Sequence, residues 1–220
     1  AEVKPGQRLP PGPVTVTRFD FGLVNNFKPN DKVFDDDLAR IAKLKGLLRL
    51  YLDSSVVTDA GLAHLGALTS LETLAIASTK ATDDALAHFA ALPRLQSLIL
   101  TSSTFTDAAL VHLKGYKALN GLHLNRTPVT DAGLAHVAGL TGMIYLALDS
   151  TAVTNAGLSQ LKGLTRLQWL NLSNTKVTDA GLAHLTGMTQ LQWLNLGNTN
   201  VTAKGVAEIK RALPNCKVEL

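Results

Sequence analysis

The stretch NTKVTDAGLAHL, Asn174 to Leu185, has a near copy in DSSVVTDAGLAHL, Asp53 to Leu65. A segment written twice solves the same local structural problem twice, so its first message is architectural. On both sides of it leucine-type residues recur at Leu47, Leu71, Leu95, Leu119, Met143, Leu167 and Leu191, a constant 24-residue period. Self-similarity at a fixed period of this length is the signature of a stacked repeat architecture.

Each copy changes its period partway through. The first part, as in LQWLNL from Leu167, sets Leu170 and Leu172 against Trp169 and Asn171. That two-residue alternation belongs to a short strand with one face inward. The second part, TDAGLAHL, spaces Leu182, Leu185 and Met188 at helical intervals. Thr178 stands at the N-cap position, where a hydroxyl accepts an orphan backbone N–H, and Asp179 complements the helix dipole.

The pattern L-x-x-L-x-L-x-x over Leu47 to about Leu213 resembles the leucine-rich-repeat family, and the T-D-A-G-L half is similar to the helical half of bacterial and F-box-type members. The resemblance implies a right-handed α/β solenoid, or horseshoe, of about seven coils. A parallel β-sheet would line its concave face and helices its convex face. Where many such proteins carry Asn or Cys, this chain has Ser55, Thr79, Ser103, Thr127, Thr151, Thr175 and Thr199. A hydroxyl there can bond the adjoining turn, and stacked copies predict a ladder along the solenoid.

The ends of a solenoid must hide an open core. VFDDDLARIAKLKGL, from Val33, matches only the helical half of a repeat, with Leu38, Ile41 and Leu44 inward. Upstream, VTVTRFDFGL from Val14 alternates like an edge strand after the stiff lead-in RLPPGP. The chain therefore divides into a lead-in and capping half-repeat (1–46), seven repeats (47–213) and a C-terminal cap (214–220), all in one domain. Val206, Ile209 and Leu213 continue the helical pattern, NCKVEL offers a last strand, and Cys216 reads as a small buried apolar residue.

The formal charge of +4 comes from scattered basic residues with no run of five, which argues against nucleic acid as partner. One cysteine excludes an intrachain disulfide and a CxxC zinc site. No stretch of eighteen apolar residues predicts a membrane span. The compartment stays open, a secreted or periplasmic protein with its leader removed included.

Two columns invite a chemical reading. His64, His88, His112, His136 and His184 share one helical position, and Asp59, Asp83, Asp107, Asp131 and Asp179 another, interrupted by Asn155. One histidine or one carboxylate per coil is too sparse for a metal, so the first reads as a helix surface and the second as helix-start electrostatics. No phosphate loop, nucleophile elbow or HExxH motif is present, and the expectation is a protein that is not an enzyme and uses no cofactor. The sequons at Asn125 and Asn171 matter only in a glycosylating pathway.

Function is sought where the copies differ. The third repeat position reads Arg49, Thr73, Ser97, Gly121, Tyr145, Trp169, Trp193, and the fifth reads Tyr51, Ala75, Ile99, His123, Ala147, Asn171, Asn195. Both positions project from strands onto the concave face, where partners bind in the family that the repeats resemble. Tyr145, Trp169 and Trp193, with Asn171, Asn195, His123, Asp149 and Arg126 around them, form the candidate partner site, because Trp and Tyr give large rigid contact area with polar handles. The leading reading is a protein- or peptide-binding scaffold. A carbohydrate or envelope-associated binder using the Trp column is its rival, and a structural fragment of a larger protein is the third reading.

Overall fold

The computed structural model describes residues 2–3, 18–20, 33–53 and 55–220. Ten strands form one sheet in which every neighbour is parallel and the spatial order follows the chain. They are β1 (Glu2–Val3), β2 (Arg18–Asp20), β3 (Arg49–Tyr51), β4 (Thr73–Ala75), β5 (Ser97–Ile99), β6 (Gly121–His123), β7 (Tyr145–Ala147), β8 (Trp169–Asn171), β9 (Trp193–Asn195) and β10 (Lys217–Glu219). From β3 to β10 each strand meets its counterpart in the next repeat, so Leu50, Leu74, Leu98, Leu122, Leu146, Leu170 and Leu194 stand in one line. The chain is an α/β leucine-rich-repeat solenoid, sheet on one face and helical segments on the other. Both β1 and β2 add pairing upstream of the first full repeat, whereas the proposed lead-in RLPPGP and most of the predicted edge strand lie outside the described residues.

A 24-residue coil leaves little room for its helical side. The helices α1 (Asp35–Ile41), α2 (Asp59–Ala63), α3 (Asp107–Leu110), α4 (Asp131–Val137), α5 (Asn155–Gln160), α6 (Asp179–Leu182) and α7 (Ala203–Ala212) are short, and four of them run directly into a 3-10 turn. The coil of Asp83–Phe89 is 3-10 throughout. Tightening to 3-10 closes the final turn with few residues.

Between sheet and helices lies a single continuous apolar core. Leu110, Leu134 and Leu158 are fully buried, as their place in the repeat predicts. At the N-terminal end α1 covers the core with Leu38 and Ile41 buried and Leu44 packed at the margin. At the C-terminal end α7 buries Val206 and Ile209, and Cys216 is buried beneath it.

The Asp column is more than helix-start electrostatics. Each aspartate reaches across to the next coil: Asp107 Oδ1 accepts from the Thr130 N–H at 2.8 Å and its Oδ2 from the Thr130 hydroxyl at 2.6 Å. The same clasp joins Asp35 to Thr58, Asp83 to Thr106, Asp131 to Thr154 and Asp179 to Thr202. The glycine of T-D-A-G belongs to it as well. A Cβ on Gly133 would meet Asp107 Oδ1 at 2.3 Å, and one on Gly157 would meet Asp131 Oδ1 at 2.3 Å, so the carboxylate occupies the space that a side chain would need.

With its proton given to the aspartate, the Thr130 hydroxyl keeps a lone pair for its own helix and accepts from the Ala132 N–H at 3.2 Å. Thr178 differs from its predicted role: it makes no side-chain cap bond. Thr58 and Thr82, which follow Asp35 and Asp59, make none either; ahead of Thr178 the preceding coil carries Asn155, whose Nδ2 donates to Thr178 Oγ1 at 2.8 Å. Asn155 Oδ1 still accepts the Thr178 N–H at 2.9 Å.

The hydroxyls at the strand ends bond the adjoining turn, as expected, but do not link one coil to the next. Thr127, Thr151 and Thr175 each donate to the carbonyl three residues earlier in their own coil, at 2.5 to 2.6 Å. They close a turn within a coil and form no ladder between coils, because the buried carbonyl of Leu124, Leu148 or Leu172 is the nearer acceptor. Just before them, Ser78, Ser102, Arg126, Ser150, Asn174 and Asn198 all have φ between 54° and 57°. The turn takes this left-handed conformation in each of these six coils, and asparagine adopts it more readily than arginine.

These contacts can be tested by substitution. Leu134→Ala should lower the unfolding free energy by about 2–5 kcal/mol, since a central coil cannot collapse onto the gap. In chemical denaturation Asp131→Ala should cost about 2 kcal/mol through the orphaned Thr154 N–H. Asp131→Asn should cost less than half as much, because Asn155 already holds the same place. Equal losses for both Asp131 variants would show that the contact works by charge and not by hydrogen bonding.

Candidate functional site

Strand pairing sets two rows across the C-terminal half of the sheet face. Tyr145, Trp169, Trp193 and Lys217 are partners in register along one row, and His123, Ala147, Asn171, Asn195 and Glu219 along the other. Side chains two apart on a strand share a face, and adjacent strands are about 4.8 Å apart, so both rows project together.

The rings form two pairs instead of one run of three. Trp169 and Trp193 lie with centroids 5.5 Å apart at an interplanar angle of 34°. Trp169 is 42% exposed, the most open of the site's large rings, while Trp193 beside it is half-buried. Tyr145 turns the other way and stacks on His123 at 4.4 Å and 26°. The register explains this turn: Tyr145 has Gly121 beside it and His123 has Ala147, so little side chain separates the two rings along the diagonal.

The asparagines are less available than their sequence position implies. Asn171 Oδ1 accepts the Ser173 N–H at 3.1 Å and Asn195 Oδ1 accepts the Gly197 N–H at 2.9 Å. Each closes the turn that follows its own strand, the local side-chain bond typical of asparagine. Asn171 Nδ2 donates to Asp149 Oδ1 at 2.9 Å. Asp149 is half-buried, and burial raises its carboxyl above the usual range, with Arg126 opposing the shift. Arg126 itself is exposed, and its N–H donates to the Asp149 carbonyl at 2.9 Å.

Two members of the site were not singled out from the sequence. Glu219 accepts from Trp193 and ion-pairs with Lys217 at 2.5 Å, and these contacts hold its carboxyl below the usual range. Continuing the 24-residue count from Trp193 and Asn195 would have reached both residues. A cleft of about 410 Å³ also opens beside the starts of β7 and β8, lined by Ile144, Thr165, Arg166, Gln168, Thr189 and Gln190. Its residues are three pairs of repeat equivalents 24 apart, Ile144 and Gln168, Thr165 and Thr189, Arg166 and Gln190, in columns that the sequence reading did not single out.

The other columns resolve structurally. The five histidines of the helical position are exposed or half-exposed, one to a coil. Among the described residues no three His, Cys, Asp or Glu side chains gather as a metal site. At the sequons, the Thr127 hydroxyl is buried on Leu124, and Asn171 is held by Asp149.

Burial pushes the His123 imidazole down to about 4. Between that value and the unfolded value near 6.5 the unfolded chain binds the extra proton, so stability falls as pH drops through this window. An NMR titration should find His123 still neutral at pH 5, and His123→Gln should flatten the pH dependence of stability between 4 and 6.5. Titration of His123 near 6.5 would contradict its burial.

The family described as leucine rich repeat matches residues 141–201, the coils that carry the aromatic rows. No curated protein sequence matches the chain. Among solved structures, an internalin from Listeria monocytogenes is similar at 25% identity and a TM-score of 0.67, covering 82% of this chain and 49% of its own. Internalin C2 of the same organism is 26% identical with a TM-score of 0.64, over 84% of this chain and 73% of its own. A leucine-rich-repeat protein of Leptospira interrogans shares the fold at 18% identity and a TM-score of 0.58, over 83% of this chain and 51% of its own. The chain thus spans about half the length of the first internalin. Parallel in-register strands, a 24-residue leucine period and these likenesses together give the chain the fold of the leucine-rich-repeat proteins, with the family's own pattern matched over residues 141–201.

Proposed function

We propose that the chain is a non-enzymatic scaffold that binds a protein or peptide partner on its concave sheet face, centred on Trp169 and Trp193. Leucine-rich-repeat proteins generally are protein-binding scaffolds, and the observation that carries the reading here is the tilted tryptophan pair with Trp169 42% exposed. Large aromatic rings held rigidly on a strand lose little entropy when they are covered, and Trp is enriched among residues that dominate binding energy. Tyr145, His123, Asn171, Asn195, Asp149 and Arg126 frame the pair.

A carbohydrate ligand needs open amide donors and acceptors around a stacking ring. Both asparagine carbonyls beside the tryptophans already accept backbone N–H groups, which favours a protein partner over a sugar. The scaffold is read as one domain, with α1 as its N-terminal cap and β10 as its C-terminal cap.

The test is selection of peptides from a random phage-displayed library against the purified chain. Selected peptides should lose about 30-fold in affinity on Trp169→Ala, equivalent to about 2 kcal/mol, with the melting temperature nearly unchanged. Peptides that bind the variant as well as the wild type, or binding confined to a glycan array, would overturn the assignment.

A further inference from the structure

Resting on the reading of the sheet face as a partner surface, we propose that the Trp169–Trp193 pair and the Asp149 carboxylate together receive an arginine side chain of the partner peptide. Most polar groups on this face are already matched within the chain. Glu219 is held by the Lys217 ammonium and by Trp193, and the carbonyls of Asn171 and Asn195 are held by backbone N–H groups. Asp149 differs. It is a half-buried carboxylate held only by neutral donors, the amide of Asn171 and its own backbone N–H, and no lysine or arginine among the described residues ion-pairs with it.

Arg126 acts on Asp149 without a direct ion pair, and the net effect of burial is still to raise its carboxyl. A desolvated carboxylate with no cation in contact gains most from an arriving cation. Asn171, the donor to Asp149, lies two residues after Trp169 on the same face of β8. Asn171 therefore stands roughly 7 Å along the strand from Trp169 and holds the carboxylate at the end of its own side chain, on the side of the preceding coil. A planar guanidinium is suited to this pair of neighbours, lying over the indole face while its N–H edge reaches the carboxylate; a lysine ammonium offers no planar face to stack. Trp193, packed on Trp169 and bonded to Glu219, is placed to hold the first ring in position.

Both tryptophans of the chain belong to the site, so intrinsic tryptophan emission reports on this surface alone. Emission would be titrated with capped tetra-arginine, tetra-lysine and tetra-glutamate peptides at fixed ionic strength. Tetra-arginine should give a saturable change, tetra-lysine a weaker one and tetra-glutamate none. Asp149→Asn should weaken the arginine peptide at least tenfold. Arg126→Glu, at an exposed position, should strengthen it several-fold by replacing the competing cation with an acid. An equal response to tetra-glutamate, or unchanged affinity in both charge variants, would overturn the inference. Library-selected peptides that lack arginine, depend on Trp169 and ignore Asp149→Asn would overturn it too while leaving the partner surface intact. Selected peptides that ignore Trp169→Ala would remove both.

Discussion

Everything in this solenoid hangs on how one coil is fixed to the next, and the aspartate clasp does that fixing. A carboxylate in one coil takes both the N–H and the hydroxyl of the threonine that opens the next helical segment, packed against a small residue of that segment, glycine at Gly133 and Gly157 and alanine at Ala85 and Ala109. Hydrogen bonds to a charged acceptor are stronger than neutral ones, and two from one residue fix orientation as well as distance. Once the helical sides are registered, strands of successive coils meet residue for residue, and the leucines fall into one unbroken core. Apolar burial supplies most of the stabilisation, but it is not directional. The clasp supplies direction.

Exact register has a functional consequence, because any residue at a strand position becomes a neighbour of its counterparts. Two tryptophans at the same position of successive coils are then held with ring centroids 5.5 Å apart, at an edge of the sheet closed by Lys217 and Glu219. Where the register places glycine or alanine beside a ring, the ring can turn, as Tyr145 does toward His123. The face is therefore divided: a stacked and half-buried pair toward the middle of the sheet, and a tilted, more open pair near its C-terminal end.

The internalins resemble this chain across most of its length but at about a quarter identity, and the first of them is about twice as long as the matched segment. What the likeness shows is the shared solenoid fold. The sheet-face residues that would select a partner, from His123 to Glu219, vary from coil to coil within the chain itself. That variation is consistent with a surface under different demands from the core.

Much of the architecture was legible in the sequence because it depends on local, repeated rules. A constant leucine period fixes the coil, two-residue alternation fixes each strand, and T-D-A-G-L marks where each helical segment begins. Counting by that period also put Tyr145, Trp169 and Trp193 in one row, and it would have reached Lys217 and Glu219 had it been carried to the last strand. What the sequence could not determine is where each polar atom spends its hydrogen bonds, since that depends on atoms brought close by stacking. Asp107 bonds to Thr130 in the next coil, Thr127 turns back to Leu124 in its own, and the Thr178 hydroxyl accepts from Asn155 where its counterparts donate to aspartate. The same is true of the site: Asn171 and Asn195 are partly used up by their own turns, and Tyr145 pairs with His123. Periodicity determines which residues become neighbours, but only packing in three dimensions decides which of the competing donors, acceptors and ring faces meet.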